Sequence, residues 1–331
     1  MLSRTAADLY WMSRYLERAE NLARMLEVSY SLSLMPQAGR GDGQAELAMS
    51  LLAAGTLDDY HQRHGELNSE RMLHFFALDE SNPGSIYCCL RAARSNAHAV
   101  RGRITADIWE NINATWLEMR HIAEQAPANF SASNFCEWVK ERSHLFRGAT
   151  EGTIMRGNAY RFIRLGTFIE RADNTLRLLD TRNQLMGDAP PCESTARDYY
   201  QWSALLRSVS AFDSYRKVYR DVITPMKVAE LLILRDDVPR SLHACMNDIY
   251  EILRNLSDDT QLEAERMAGE LHAKLHYGRT QQIFDVGLHE YLMDFLDGIG
   301  NLASEINRDF LVPVYPLPGA MQTQTQSSYL A

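Results

Sequence analysis

A helix is written twice in this chain. Residues 15–26 read YLERAENLARML and residues 168–179 read FIERADNTLRLL, and Glu170 follows Glu17 by 153 residues with no gap needed across the segment. Leu9, Met12, Leu16, Ala19, Ala23 and Leu26 recur at that offset as Phe162, Leu165, Ile169, Ala172, Leu176 and Leu179. Their alternation of three- and four-residue steps is the apolar seam of a helix that packs against other helices. A repeat at this period sets the fold before any other feature is weighed. The expectation is an all-α, tandem-duplicated helical bundle whose halves are related by a pseudo-twofold.

A second echo follows. Asn82-Pro83-Gly84-Ser85-Ile86 corresponds to Val238-Pro239-Arg240-Ser241-Leu242, now at an offset of 156 residues. Proline at the first helical position starts a helix without losing a needed donor, so Pro83 and Pro239 are expected to open helices. Periodicity predicts helices over roughly 4–34, 44–63, 67–78, 83–102, 104–125, 132–149, 153–186, 194–210, 224–235, 239–256, 259–277 and 280–309. Alternating strand patterns are absent from the sequence. The domain reading is a first repeat over 1–150, a second over 151–312 and an extended or disordered tail over 313–331. Gly187–Glu193, with Pro190-Pro191, reads as the clearest linker.

The 331 residues carry 43 acidic against 34 basic side chains, a formal charge of −9. That balance, without a basic run, gives no reason to expect nucleic acid or an anionic membrane as a partner. Cys88, Cys89, Cys136, Cys192 and Cys245 are odd in number and lack CxxC spacing, as in reduced proteins. Residues 1–10 lack the layout of a signal peptide, and no stretch approaches the ~20 apolar residues of a membrane span. A cytoplasmic protein is expected.

On the seam's frame, Glu17, Asn21 and Arg24 form one stripe, and Glu170, Asn174 and Arg177 form the same stripe in the second copy. Glu17 and Arg18 are neighbours about 100° apart on the helix, so they do not pair with each other. Arg18 and Arg171 each need a partner elsewhere. Three readings stay open: a solvated polar face, a buried hydrogen-bonded network between helices, or a ligand or partner site lined by the stripes. Surrounding polar positions differ between the halves while these residues stay the same, which speaks against a freely solvated face.

Other constellations are weaker. Glu118/His121 and Glu141/His144 have the Glu-x-x-His spacing of helical di-iron bundles, but both fall in one half. His272 and His276 stand one turn apart, yet Ala273 occupies the place of a zincin's catalytic glutamate, so they read as structural or surface residues. No cofactor and no metal are expected. Cys89 and Cys245, each six residues after its proline, read as small core residues. One basic face belongs to the first half alone: Arg91, Arg94, Asn96 and Arg101 on the helix after Pro83, then Trp109, Glu110 and Asn113 on the next. Arg94 and Arg101 at i and i+7 would share a face, either binding a carboxylate or phosphate or pairing with the adjacent helix. The second half has a polar aromatic cluster at Asp213, Tyr215, Tyr219 and Arg220.

The two ERA(E/D)N helices, Ala93-Arg94-Ser95-Asn96-Ala97, Trp109-Glu110-Asn111-Ile112-Asn113 and Pro239-Arg240-Ser241 together resemble the bacterial alpha-E domain family. Ser95 departs from that family's pattern, which has an acidic residue there. The resemblance implies an all-α fold with a duplicated Glu-Arg motif and a place in a peptide synthesis or modification system. It implies a circularly permuted ATP-grasp carboxylate–amine ligase as partner, with a transglutaminase-like protein as a further one. It implies no established catalytic residue, so a non-catalytic helical partner is the leading expectation. An enzyme or small-molecule binder using the stripes and the Arg94/Arg101 face is the alternative.

Overall fold

The computed structural model describes residues 1–33, 40–126, 130–186, 196–256 and 262–312. Among them are fifteen α-helices and no strand. The linker expected at Gly187–Glu193 and the tail from residue 313 lie outside the described residues. In chain order the first half holds α1 (Ser3–Ser33), α2 (Arg40–Ala53), α3 (Leu57–His64), α4 (Ser69–Ala77), α5 (Ile86–Ala99), α6 (Ala106–Gln125) and α7 (Ala132–Thr153). The second holds α8 (Asn158–Met186), α9 (Ala196–Ser208), α10 (Phe212–Tyr219), α11 (Pro225–Ile233), α12 (Leu242–Leu256), α13 (Glu263–His276), α14 (Thr280–Val286) and α15 (Leu288–Ile306), closed by a π-type turn at Asn307–Leu311.

The repeated helices are α1 and α8, and all twelve seam residues are buried. Neither is apolar on one side only. Ser13, Glu17, Glu20 and Asn21 on α1, and Thr167, Glu170, Arg171 and Thr175 on α8, are buried as well. A helix covered on every side belongs at the centre of a molecule. The two come into tight contact where a Cβ on Gly166 would lie 2.2 Å from the carbonyl oxygen of Tyr10 and 2.3 Å from Ser13 Oγ. Gly166 is the counterpart of Ser13 at the 153-residue offset. Beyond this point Arg14 meets Glu170 and Glu17 meets Arg171, so the helices run in the same sense.

The flanking helices form two rings. α1 packs on α5 and α7, and both of these pack on α6. α8 packs on α12 and α15, and both of these pack on α13. Two four-helix groups thus share the α1–α8 contact, and their apolar interiors merge into a single core.

Several boundaries differ from those expected. Pro83 and Pro239 sit in the turns before their helices; α5 and α12 begin at Ile86 and Leu242. The hydroxyls of Ser85 and Ser241 accept from the backbone N–H of Cys88 and Ala244, at 3.2 and 3.0 Å, and so serve as the caps. The helix expected over 44–63 is α2 and α3, separated at Gly55, whose φ is +68°. Gly287, at φ +104°, likewise divides the helix expected over 280–309 into α14 and α15. α10 was not expected at all. No described helix is long and apolar enough to cross a membrane.

Candidate functional site at the Glu-Arg helix pair

The motif residues trade partners between α1 and α8. Arg171 donates Nε to Glu17 Oε1 at 2.9 Å and Nη2 to Oε2 at 3.1 Å. Arg18 donates Nε to Glu170 Oε1 at 2.5 Å and Nη2 to Oε2 at 3.1 Å. Each pair is bidentate, the geometry in which a guanidinium holds a carboxylate most firmly. The pairing is reciprocal: the glutamate of each copy is held by the arginine of the other.

Further residues close the centre unequally. Arg14 donates to Glu170 Oε2 at 2.8 Å. On the other side Arg240, from the turn before α12, lies 3.0 Å from Glu17 Oε1 and donates to Glu20 Oε1 at 2.8 Å and Asn21 Oδ1 at 2.7 Å. Glu20 also accepts from Arg24 at 2.9 Å, from Ser143 at 2.5 Å and from Arg147. Arg14, Glu20, Arg147 and Arg240 were not among the expected site residues. Arg14 and Glu20, one turn before and one turn after Glu17, are the two with a local signal beside the stripe.

Burial pushes each carboxyl up, but its arginines pull harder in the other direction. Arg171 and Arg240 hold Glu17 below the ordinary value of 4.5, and Arg14 and Arg18 do the same for Glu170. Arg240, Arg147 and Arg24 take Glu20 well below it. Burial pulls Arg240 down, yet a guanidinium keeps its proton in proteins. Six guanidiniums, Arg14, Arg18, Arg24, Arg147, Arg171 and Arg240, therefore face three carboxylates in these contacts. Cys89 lies near Arg18 and Cys245 near Arg171, but burial dominates and pushes both thiols up to about 12. They are small protonated core residues and not nucleophiles.

Two of the six guanidiniums, Arg14 and Arg18, border a cavity of about 350 Å³ beside the α1–α8 contact. Arg14, Arg18, Asn21, Asn174 and Arg177 line it, with Glu170 and Asp173. Asn21 gives its carbonyl oxygen to Arg240, which fixes the amide's orientation, and its Nδ2 finds no acceptor among the described residues. The Nδ2 of Asn174 finds none either. Gly84, which also lines the cavity, is the counterpart of Arg240 at the 156-residue offset. The side chain that seals one flank of the centre is thus missing from the other.

Of the stripe residues, Glu17, Asn21, Arg24, Glu170 and Asn174 reach this centre together with Arg18 and Arg171, while Arg177 pairs with Asp173 at the cavity rim. The first-half basic face does not form as expected. α5 ends at Ala99, so Arg101 lies in the following turn, exposed and off the helical face that the i, i+7 spacing assumed. Arg94 donates to Asn113 Oδ1 at 3.3 Å and lies 5.6 Å from the Trp109 ring centre, pairing with α6. Asn96 is half-buried and Glu110 exposed. The Glu-x-x-His pairs do not converge either: Glu118 accepts from Trp138 at 2.8 Å and pairs with Arg142 at 2.7 Å, while Glu17 and Glu170 are held by arginines. In the second-half cluster, the buried Tyr215 donates to the carbonyl of Val222 at 2.8 Å, and Arg220 ends α10 with φ +50°.

A Glu-Arg sequence repeated on two helices, with its residues exchanged between them, thus lies at the centre of the described helices. The model of the alpha-E family, a predicted alpha-helical domain with a conserved ER motif, matches residues 1–311. The chain belongs to the alpha-E family. An uncharacterized protein of Mycobacterium bovis and two of Mycobacterium tuberculosis are each 23% identical to this alpha-E chain over 338 residues. The alignments cover 96% of the chain and 38% of each relative, so the chain spans well under half the length of these curated relatives. No solved structure matches it.

Proposed function

We propose that this alpha-E protein is a non-catalytic helical partner in a peptide synthesis or modification system. It acts with a circularly permuted ATP-grasp carboxylate–amine ligase and helps to present a peptide substrate. The observation that carries this reading is the closure of the motif: Glu17 and Glu170 are each held by two or more guanidiniums, and neither is poised as a free general base. The neighbouring thiols Cys89 and Cys245 are kept protonated by burial. The test is co-purification of the full chain with the ATP-grasp ligase of its own genome, followed by ligase turnover with and without it. A stable complex and faster peptide-dependent ATP hydrolysis are expected. Failure to associate, together with turnover of a peptide by the isolated chain, would overturn the proposal.

A second reading, a small-molecule binder, is favoured by the donor-rich cavity. Its arginines and the two unpaired amide donors of Asn21 and Asn174 suit a carboxylate. If calorimetry with short acidic peptides gives saturable binding that Asn174→Leu weakens, the presenting role acquires its contact point.

A further inference from the structure

His272 and His276 share a face of α13, with ring centres 5.6 Å apart and planes at 20°. The sequence suggests no third ligand for them. The fold supplies one, because α12 packs on α13 and brings His243 to 5.9 and 5.7 Å from the two rings. One potential ligand nitrogen from each histidine lies within 4.8 Å of the other two.

Their hydrogen bonds fix which nitrogens are available. His243 Nδ1 is 2.8 Å from the carbonyl oxygen of Leu234, which only accepts, so Nδ1 carries the proton and Nε2 a lone pair. That Nε2 finds no hydrogen-bond partner among the described residues, although His243 is only 6% exposed. An unmet acceptor at such depth is unfavourable unless something else engages it. His272 Nε2 donates to Asn247 Oδ1 at 2.7 Å, leaving Nδ1 free. Metal-bound histidines characteristically anchor their second ring nitrogen in this way, to a backbone carbonyl or a polar side chain.

We infer that His243, His272 and His276 form a binding site for a late first-row divalent cation, Zn²⁺ foremost, that pins α12 to α13. Three imidazoles suit zinc, cobalt or nickel and not the oxygen-seeking magnesium or calcium. Tetrahedral ligation with Zn–N distances of about 2.0–2.1 Å needs nitrogens about 3.4 Å apart. With the ligand nitrogens now within 4.8 Å of one another, closing on an ion requires small side-chain rotations, freest for the exposed His276.

The test titrates the full chain, stripped with a chelator, with ZnCl₂ by calorimetry and with CoCl₂ by visible absorption. One ion per chain, a tetrahedral cobalt spectrum and a raised melting temperature are expected. His276→Gln, an exposed change, and Asn247→Leu, which releases the His272 anchor, are each expected to weaken binding about tenfold or more. The simpler rival is a surface chelate of His272 and His276 alone, and His243 separates the two. Imidazole ¹⁵N spectra of the unaltered protein are expected to show a zinc-dependent shift of His243 Nε2, and His243→Gln to weaken binding as much as His276→Gln does. No stoichiometric binding, or binding without that ¹⁵N shift, overturns the site.

Discussion

A buried carboxylate is safe only while its partners stay in place. Glu17 is held by Arg171 and Arg240, so truncating the glutamate takes the carboxylate from Arg171, while Arg240 keeps Glu20. We expect Glu17→Ala to lower the unfolding free energy in urea by about 3–5 kcal/mol. Arg18→Ala is expected to cost less, because Arg14 still holds Glu170 and the Arg18 side chain is 34% exposed. A loss for Glu17→Ala of only about 1 kcal/mol, typical of exposed pairs, would show the network to be dispensable. The same contacts set the response to acid. Glu17, Glu20 and Glu170 have folded pKa values below the ordinary 4.5. Their stabilisation is therefore fully present above pH 4.5 and is lost as pH falls through the folded values. Urea melts taken at stepwise lower pH should show this decline, with Glu17→Gln flattening part of it. Legibility at this scale follows distance along the chain. The stripe placed Glu17, Asn21 and Glu170, and neighbour geometry showed that Arg18 needed a distant partner. Arg240 reaches Glu20 across 220 residues, a closeness that only the assembled fold creates.

Among elements, the α1–α8 contact depends on one missing side chain. The nearest obstacle to a Cβ at Gly166 is the main-chain oxygen of Tyr10, which cannot rotate away. Gly166→Ala should thus push the helices apart and destabilise the fold by about 1–3 kcal/mol, as overpacking does. Adding Ser13→Ala is not expected to restore stability, since it removes the hydroxyl but not the carbonyl; full recovery of the melting temperature would refute that account. Long elements were legible because α1 and α8 carry many turns of one pattern. Among shorter or interrupted ones the outcome was mixed: the nine-residue α4 and α11 were expected, others were not. α10 spans eight residues, too few for a period to show, and the breaks at Gly55 and Gly287 depend on positive φ, which a glycine permits but does not announce. Pro83 and Pro239 marked helix starts nearby, while the serines two residues later had the hydroxyl that the first turn needs.

For the whole molecule, the exchange of partners between α1 and α8 ties the halves together, and we expect them to unfold as one cooperative unit. Cutting within the turn at 154–157, where Met155 is 89% exposed, divides the chain without touching either helix. Neither fragment is expected to give a sigmoidal thermal transition alone, and mixing them is expected to restore helical circular dichroism and a single species on size exclusion. A cooperative transition from residues 1–153 by themselves would refute this dependence.

The span between Glu20 and Arg240 also has a consequence for synthesis. At roughly 5–20 residues per second, a ribosome needs about 10–40 s to travel from one to the other. During that interval Glu17 and Glu20 are already made, and Arg147 and Arg171 join them before Arg240 does. The final packing of this centre is a late event, completed by the turn that precedes α12. Disturbances of that turn should therefore register as lower yield of folded protein from the translating cell, before any effect on the mature molecule is measured.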